Sequence, residues 1–492
     1  MKDLILSIDQ GTTGTTVLIL NHELEILAKK NNEFPQYYPQ PGWVEHKPDE
    51  IWECTTRTIR ETVEMAGIDA NRIAGIGIAN QRETTVIWNR ADSTPIHNAI
   101  VWQDRRTAPL CKKLKKSGKE KLVHRKTGLV LDPYFSGTKI KWLLDNVSGA
   151  RDQAQKGKLA FGTIDTYLVW KLTDGENHVT DVSNASRTLL FDLKTLKWDP
   201  TLLKLFDVPP EILPEICPSS FVYGKTKNVP GLPNGIPIAG MAGDQQAALF
   251  GQACFNIGEA KCTYGTGSFL LMNIGSKPVL SRRGLVTTVA WEVNHKVAYA
   301  LEGSSFIAGA AVQWLRDGLK MIRSSSEIEA LAETVPDNGG VYFVPALVGL
   351  GAPHWNPHAR GVICGLTRGT LTGHIARATL EGIAFQQQEI LESMEKDSGR
   401  KCKLLKVDGG ACANNLMIQF QADILGCNIV RPKMIETTAF GAAFLAGLAV
   451  GIWKDQEEIR NTWKEDKTFK PTFSKKQCQD LKKKWAEVVG KA

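Results

Sequence analysis

The chain has 492 residues, of which 42% are hydrophobic and 23% are charged, and its formal net charge is +8. A chain of this length is too long for one compact core, so we expect a globular protein with two large domains. The basic cluster at residues 112–121 contains no interleaved aromatic residues, which argues against a nucleic-acid-binding protein. No apolar run reaches the roughly 18 to 20 residues that a membrane-spanning helix needs.

The cysteines and the N-terminus both indicate an intracellular protein. The ten cysteines are scattered, with no CxxC pair, which is typical of reduced thiols in the cytoplasm. The opening segment MKDLILSIDQ has only a short apolar stretch, which Asp9 interrupts, so no signal peptide is predicted. We therefore expect a soluble, cytoplasmic protein without a membrane span.

The first half of the chain predicts a mixed sheet covered by helices. DLILSID and TTVLIL are strand-like runs joined by the turn QGTTG, and LEILAKK follows as a third strand. A helix is expected from Pro48 to a natural stop at Gly67, and RIAGIGIAN then returns as a buried strand. Further on, IPIAGMAGDQQAALF predicts a strand, a loop and a helix. This order is typical of an α/β fold.

The second half opens with the same design as the first. Residues 258–273, GEAKCTYGTGSFLLMN, predict a strand, a Gly-Thr turn and a second strand. A helix at 307–319, the strand VYFVPAL, a long helix at 374–396, the strand KLLKVDGG and helices from about 414 and 437 follow. Two like halves predict a duplicated α/β fold with a cleft between them. We place the N-terminal domain at residues 1–250 and the C-terminal domain at 251–492.

The two Gly-Thr turns predict a phosphate site. The chain has neither a Walker A loop nor the HRD and DFG motifs of protein kinases. In DQGTTG (9–14) and YGTGS (264–268), glycines let the backbone approach an anion, and threonine hydroxyls can donate to it. Asp9, at the end of a buried strand, can order a hydrated Mg²⁺. Either turn alone is weak evidence, but their matching positions in the two halves indicate ATP. The segment DGG (408–410) suits a ribose or base, or equally an ordinary tight turn.

A second group of residues predicts a small polyol as the acceptor. Arg82 and Glu83 follow a buried strand; they form an ordinary ion pair or bind vicinal hydroxyls, one donating and one accepting. Trp102 and Phe269 either sandwich a carbon chain or pack in the core. Asp244 ends a strand just before the predicted cleft, where a carboxylate can take the hydroxyl proton during attack on a γ-phosphate.

Many longer segments carry a resemblance to a known family. They are DQGTT, PGWVEH, NQRET, NAIVWQ, DPYFSGTK, NASRTLL, AGDQQAALFGQ, YGTG, GLGAP and DGG, together with YFSGTKIKWLLDN (134–146) and GVICGLTRGTLTGHIARATLEG (361–382). With these motifs in this order, the chain resembles the FGGY family of carbohydrate kinases, and within it the kinases that act on glycerol. The resemblance extends through about Trp453.

The resemblance implies a fold, a reaction and a set of site residues. The fold would be two duplicated actin-, hexokinase- and Hsp70-like (RNase H-like) domains with a catalytic cleft between them. The reaction would be the ATP- and Mg²⁺-dependent phosphorylation of glycerol to sn-glycerol 3-phosphate, in a homodimer or homotetramer. Asp244 would be the catalytic base and, with Asp9, would place Mg²⁺. Glycerol would be bound by Arg82, Glu83, Tyr134, Asp244 and Gln245, between Trp102 and Phe269. The nucleotide would contact Thr12, Thr13, Gly14, Thr266, Gly309, Gln313, Gly410 and Asn414.

The sequence departs from the family pattern at one position, and it leaves two alternative functions open. Many family members have an arginine near the end of the first phosphate turn, as in DQGTTSxR, where this chain has Thr16. The first alternative is a kinase of the same family that acts on another polyol or a ketose. The second is an actin- or Hsp70-like ATPase without an acceptor. NQRET, Trp102 and the DPYFSGTK stretch favour glycerol over the first alternative, and the ATPase would have no need for NQRE or Trp102.

Overall fold

The computed structural model describes residues 2–492. Within this range the chain forms 23 β-strands: β1 Leu4–Gln10, β2 Gly14–Asn21, β3 Ile26–Glu33, β4 Glu45–His46, β5 Ile73–Asn80, β6 Val86–Asn89, β7 Ala99–Ile100, β8 Leu159–Gly162, β9 Val179–Asp181, β10 Phe191–Asp192, β11 Lys197–Trp198, β12 Glu215–Cys217, β13 Ser220–Lys225, β14 Pro237–Gly243, β15 Glu259–Tyr264, β16 Ser268–Gly275, β17 Val286–Val293, β18 Lys296–Ser305, β19 Tyr342–Val344, β20 Val362–Cys364, β21 Leu404–Asp408, β22 Ile429–Pro432 and β23 Glu465–Phe469.

The same range contains 16 α-helices: α1 Pro48–Ala66, α2 Ala108–Lys116, α3 Glu120–Thr127, α4 Ser136–Asn146, α5 Ala150–Gln155, α6 Ile164–Leu172, α7 Val182–Ala185, α8 Pro200–Phe206, α9 Asp244–Gly251, α10 Gly309–Asp317, α11 Glu327–Glu333, α12 Thr372–Ser398, α13 Asn415–Leu425, α14 Thr437–Val450, α15 Gln456–Thr462 and α16 Lys475–Val489. None of them combines the length and the apolar character that crossing a membrane requires.

Two large sheets repeat one design. The first sheet has the strand order β13-β14-β5-β1-β2-β3, and the second has the order β17-β18-β16-β15-β21-β22-β23. In each, an antiparallel hairpin with a Gly-Thr turn, β1–β2 or β15–β16, is flanked by a parallel strand, β5 or β21. The predicted duplicated α/β fold is therefore confirmed. The domain boundary near residue 250 stays a prediction.

The long, strongly patterned elements match the sequence predictions, and the short ones were missed. The predicted helix at Pro48 runs to Ala66 and ends at Gly67, whose φ of 61° is the left-handed conformation that glycine adopts without strain. No elements were predicted between residues 81 and 236, where the structure has seven helices, α2–α8, and several short strands. These helices have 4 to 11 residues, too few turns to show a clear apolar period.

Helix α14 belongs to the second half of the chain but packs on the first sheet. A Cβ atom on Gly77 of β5 would lie 2.1 Å from the Ala442 carbonyl oxygen of α14, and one on Gly441 would lie 1.8 Å from the Ala247 carbonyl oxygen of α9. Real Cβ atoms do not approach this closely, so both contacts require glycine. Helix α14 is thus a buried core helix that packs against both halves of the chain.

Candidate active site

The two strands that lead to the predicted acceptor residues are parallel neighbours. Asn80, the last residue of β5, is in register with Gly243, the last residue of β14. The residues that follow them therefore emerge at the same edge of the first sheet. Asp244 begins α9, its side chain is 30% exposed, and its Oδ1 lies 3.2 Å from Nε of Arg82. The structure thus brings the predicted base and the predicted polyol-binding arginine into contact.

Arg82 lies at the centre of a buried polar network. It is 3% exposed, and both of its terminal nitrogens donate to the carboxylate of Glu302, with Nη2 2.9 Å from Oε1. Nη2 also donates to the hydroxyl of Tyr134 at 3.4 Å. Burial opposes the charge of the guanidinium, but Glu302, Tyr134, Glu83 and Asp244 together hold the pKa of Arg82 well above its ordinary value. Arg82 is therefore charged and fixed in one orientation.

A second arginine completes the network. Nε of Arg187 lies 2.6 Å from Oε1 of Glu83, and its Nη2 lies 3.0 Å from Oε1 of Glu302. Its Nη1 has no hydrogen-bond acceptor among the described residues, but the guanidinium carbon lies 5.2 Å from the ring centroid of Phe135, a favourable cation–π contact. Burial favours a raised pKa for Glu302, yet Arg187 and Arg82 lower it to about 2. Glu302 is therefore an anion shared by two arginines.

Glu83 is held in a strained backbone conformation. Its φ is 59°, in the left-handed region that non-glycine residues rarely adopt and that costs roughly 1–3 kcal/mol. Three side chains donate to its carbonyl oxygen: Ser136 at 3.0 Å, Thr85 at 3.1 Å and Lys139 at 3.2 Å. Lys139 also donates to the carbonyl oxygen of Tyr134, and burial lowers the pKa of this lysine to about 7. The DPYFSGTK stretch thus fixes both Glu83 and Tyr134.

The predicted aromatic wall lies between the acceptor residues and the first phosphate turn. The rings of Trp102 and Tyr134 meet edge to face with centroids 5.6 Å apart. Nε1 of Trp102 donates to Oγ1 of Thr12 at 2.9 Å. A molecule held against Trp102 therefore lies next to the turn that is predicted to bind phosphate.

One face of the second sheet supplies the other wall. Leu271 of β16 pairs with Glu302 on one side and with Lys261 on the other, and Phe269 is two residues before it. Paired residues and residues two apart share a face, so Lys261, Phe269 and Glu302 project together. Lys261 is fully buried and its ammonium contacts the side-chain oxygen of Gln245. Gln245, on the helix that follows β14, and Phe269, on β16, thus approach the site from the two halves of the chain.

The first phosphate turn is closed by a backbone hydrogen bond. The N–H of Gly11 donates to the carbonyl oxygen of Gly14 at 2.9 Å, and Thr13 is exposed.

The predicted magnesium ligand, Asp9, lies just before this turn in β1. Burial, and then the nearby carboxylates of Asp244 and Glu436, raise the pKa of Asp9 to about 8. A divalent cation would relieve this repulsion, and carboxylate oxygens are ligands that Mg²⁺ accepts, so Asp9 and Asp244 fit the ion. Residues 2–492 contain no group of three or more His, Cys, Asp or Glu side chains placed to hold a metal.

A lysine on β3 brings a positive charge to this turn. Thr16 pairs with Asp9 across β1 and β2, and its hydroxyl accepts a hydrogen bond from Asn31 at 2.9 Å. Lys29 is two residues before Asn31 on the same face of β3 and contacts Glu436. Its charge partly offsets the rise in the pKa of Asp9. Lys29 therefore provides positive charge from β3 although position 16 has no arginine.

The second turn is built by close backbone contacts. The N–H of Gly265 donates to the carbonyl oxygen of Gly267 at 2.8 Å, and the N–H of Gly309 donates to that of Gly265 at 3.0 Å. A Cβ atom on Gly309 would lie 2.6 Å from the Gly265 oxygen, and one on Gly409 would lie 2.3 Å from the Tyr264 oxygen. The turn, the start of α10 and the DGG segment thus form one continuous backbone surface.

The remaining predicted nucleotide residues adjoin this surface. Thr266 and Gly410 are exposed, and Gln313 is exposed one turn after Gly309 on α10. Asn414 caps α13, where its side-chain oxygen accepts from the N–H of Met417 at 2.8 Å. These residues therefore belong to the second half of the chain, whereas Thr12, Thr13 and Gly14 lie at the β1–β2 turn of the first half.

Several residues of the site were missed from the sequence, among them Glu302, Arg187, Lys261 and Lys139. Glu302 and Lys261 each interrupt an apolar strand, in VAYALEGSS and GEAKCTY. A charge in a buried strand needs a partner, and that pattern was a usable signal. The partner itself is distant in sequence, as with Arg82 and Glu302, so the signal alone could not have given the network.

Models of known families match both halves. Residues 4–251 match the N-terminal domain of the FGGY family of carbohydrate kinases, and residues 260–450 match its C-terminal domain. The chain belongs to the FGGY family of carbohydrate kinases. Two similar FGGY relatives are glycerol kinase 2 of Thermotoga maritima, 57% identical over 99% of this chain and 98% of that protein, and glycerol kinase of Myxococcus xanthus, 57% identical over 99% of each.

Solved structures of FGGY kinases have the same fold. The crystal structure of Plasmodium falciparum glycerol kinase with ADP superposes with a TM-score of 0.94 at 41% identity, covering 99% of this chain and 98% of that one. The gluconate kinase from Lactobacillus acidophilus gives a TM-score of 0.89 at 25% identity, covering 99% and 97%. The fold is thus shared by kinases named for glycerol and for gluconate, so the fold alone does not identify the acceptor.

Proposed function

We propose that this chain is an ATP-dependent glycerol kinase that produces sn-glycerol 3-phosphate. The observation that carries the proposal is the buried Arg82–Glu83 pair beside Trp102 and Tyr134, in contact with the partly exposed carboxylate of Asp244. The similarity to glycerol kinases at 57% identity over nearly the whole chain supports the same acceptor.

The acceptor residues suit a short polyol. Each hydroxyl of a polyol both donates and accepts, so neighbouring hydroxyls are well matched by a guanidinium that only donates and a carboxylate that only accepts. Arg82 and Glu83 provide these groups, and Gln245 adds an amide. Trp102 and Phe269 offer apolar faces to the carbon chain. The strained backbone of Glu83 indicates a group held in place for binding.

In the proposed mechanism Asp244 is the general base. Its carboxylate accepts the proton of the terminal hydroxyl as the hydroxyl oxygen attacks the γ-phosphorus of ATP. The contact with Arg82 orients the carboxylate, and Trp102, bonded to Thr12, keeps the acceptor next to the phosphate turn. Asp9 and Asp244 would hold Mg²⁺, which neutralises phosphate charge when it is bound.

The nucleotide is assigned to residues on both halves. The assigned residues are Thr12, Thr13, Gly14, Thr266, Gly309, Gln313, Gly410 and Asn414. The N–H groups and hydroxyls of the two turns suit phosphate oxygens, and the exposed backbone at Gly410 suits the nucleoside. A homodimer or homotetramer working in the cytoplasm is part of the same proposal; all ten cysteines are free, as reducing conditions favour.

The test is the production of ADP from ATP and Mg²⁺ with glycerol, dihydroxyacetone, erythritol, xylulose or no acceptor. We expect a strong response to glycerol, with sn-glycerol 3-phosphate as the product. A preference for xylulose or erythritol would keep the family and the base but replace the acceptor. Equal turnover without any acceptor would indicate an ATPase and overturn the proposal.

A further inference from the structure

We infer that Glu302 is a positioning residue for the acceptor site, which sets the orientation of Arg82 from the opposite sheet. This inference rests on the proposed polyol kinase function. Arg82 follows β5 of the first sheet, whereas Glu302 lies on β18 of the second sheet. The polyol site is therefore assembled from both halves of the chain, although its predicted ligands before Phe269 all come from the first half.

The geometry makes Glu302 the main anchor of Arg82. The carboxylate receives both terminal nitrogens of the guanidinium, which fixes the plane of this group as well as its position. The other acceptors are weaker or more distant: Oε1 of Gln246 at 3.2 Å and the hydroxyl of Tyr134 at 3.4 Å. Arg82 thus has one bidentate contact, and Glu302 provides it.

The charges explain why this anchor matters for the reaction. Arg82 has a single contact with the predicted base, from Nε to Oδ1 of Asp244 at 3.2 Å. Without the anion at position 302, the fork of Arg82 would be free to turn toward Asp244, because a bidentate pair with a carboxylate is the favoured arrangement. That pairing would occupy the oxygen that takes the substrate proton and would withdraw the donors from the polyol.

Glu302 also orders the second half of the acceptor pair. Arg187 donates to Glu83 and to Glu302, so the same carboxylate fixes the arginine that holds Glu83. Glu302 is 2% exposed and lies on the sheet face that also carries Phe269. One side chain therefore aligns the donor and the acceptor of the polyol site without needing to touch the polyol.

The experiment measures both substrates in Glu302→Gln, which keeps the size of the side chain but removes its charge. We expect the KM for glycerol to rise about 10- to 100-fold, because a buried charge pair is broken, while the KM for ATP changes less than about 3-fold. Glu302→Asp keeps the charge but shortens the side chain by one methylene. Its KM for glycerol should therefore lie between the values of the unmodified chain and of Glu302→Gln, about 3- to 10-fold above the unmodified chain.

Glu381→Gln is the matched control. Glu381 is also buried, on α12, where it pairs with Arg377 at 3.2 Å and accepts from Asn338 at 2.7 Å, and none of these residues belongs to the site. It should lower the Tm without changing either KM. The selective effect on glycerol then separates positioning from a general loss of stability.

The inference is overturned if Glu302→Gln leaves the KM for glycerol within about 2-fold of the unmodified value, or if both KM values rise together. If Glu302→Gln does not fold, Glu302→Asp decides, and an unchanged KM for glycerol in that variant overturns the inference. Failure of the proposed function is a separate result, because the unmodified chain would then show no glycerol-dependent ADP production.

Discussion

On one side of the site the polar groups are buried side chains, and on the other side they are mainly backbone groups in exposed turns. The acceptor side, defined as Arg82, Glu83, Tyr134, Arg187 and Glu302, is joined by ion pairs and hydrogen bonds. The nucleotide side, defined as residues 11–14, 264–268 and 408–410 with the start of α10, is shaped by glycines in close contact with neighbouring backbone.

The two ligands of the proposed reaction account for this difference. A small neutral polyol offers only hydroxyl groups and little area, so its site must present donors and acceptors that are already oriented. A nucleoside triphosphate is large and highly charged, and backbone N–H groups that point at its phosphates can bind it. Mutations on the acceptor side should therefore lower activity by removing charged side chains. Mutations on the nucleotide side should lower it by changing the shape of the backbone.

The largest effect should come from Asp244, which contacts the acceptor side but lies partly exposed. Asp244→Asn keeps the size of the side chain and removes its ability to accept a proton, so kcat should fall about 1,000-fold. Nucleotide binding, measured by calorimetry with ADP, should persist. Asp145→Asn, on the surface of α4, is the control with normal turnover. Near-normal kcat in Asp244→Asn would remove this residue from the role of base.

Arg82→Ala tests the donor of the acceptor side. Truncation leaves Glu302 paired with Arg187 alone and removes the N–H groups proposed to bind the polyol, so kcat/KM for glycerol should fall about 100-fold. The KM for ATP should change little. Arg377→Ala removes an arginine that pairs with Glu381, away from the site, and should leave both values unchanged. An unaltered affinity for glycerol in Arg82→Ala would contradict the assignment.

Neighbouring glycines allow the nucleotide side to be tested by shape alone. Gly409 has a φ of 86° and no room for a Cβ, whereas a Cβ on Gly410 would meet no atom within 4 Å. Gly409→Ala should therefore lower the Tm and raise the KM for ATP about 10-fold, because the contact with Tyr264 must open. Gly410→Ala should leave the Tm unchanged and should only raise the KM for ATP. Equal Tm values in both variants would contradict this account.

The smallest effect is a pH dependence of stability that arises from Lys139, which donates to the backbone of Glu83 and Tyr134 on the acceptor side. Lys139 has a pKa of about 7 in the folded chain and about 10.4 when unfolded, so the unfolded state binds more protons between these values. Its contribution to the free energy of unfolding should rise with pH from about 7, by about 2 kcal/mol or less up to about pH 8.5. The Tm difference between the unmodified chain and Lys139→Met should grow over this range.

Lys141→Met is the control for that series. Lys141 lies on the same helix, two residues further on, but forms surface pairs with Asp145 and Asp207. Its Tm difference from the unmodified chain should stay constant between about pH 7 and 8.5. A Lys139→Met curve parallel to that of the unmodified chain would show that the buried amine does not titrate there.

The sequence predicted the fold where local signals were strong. The two strand–turn–strand units and helices such as α1 and α12 have clear patterns, and the structure has them. The site residues came from motifs, and the structure places Arg82, Tyr134 and Asp244 together. The roles of Glu302 and Arg187 could not be predicted, since they depend on pairs that are 104 to 220 residues apart in the chain. Such pairs exist only once the two sheets meet.

The position of α14 has a consequence for how the chain is made. Its backbone lies directly against Gly77 of β5 and Gly240 of β14, so α14 covers the face of the first sheet that carries these glycines. During synthesis this glycine- and alanine-lined face stays open until residue 450 has left the ribosome. A fragment ending near residue 250 would therefore carry an uncovered apolar surface, and we expect it to aggregate more readily than the full chain.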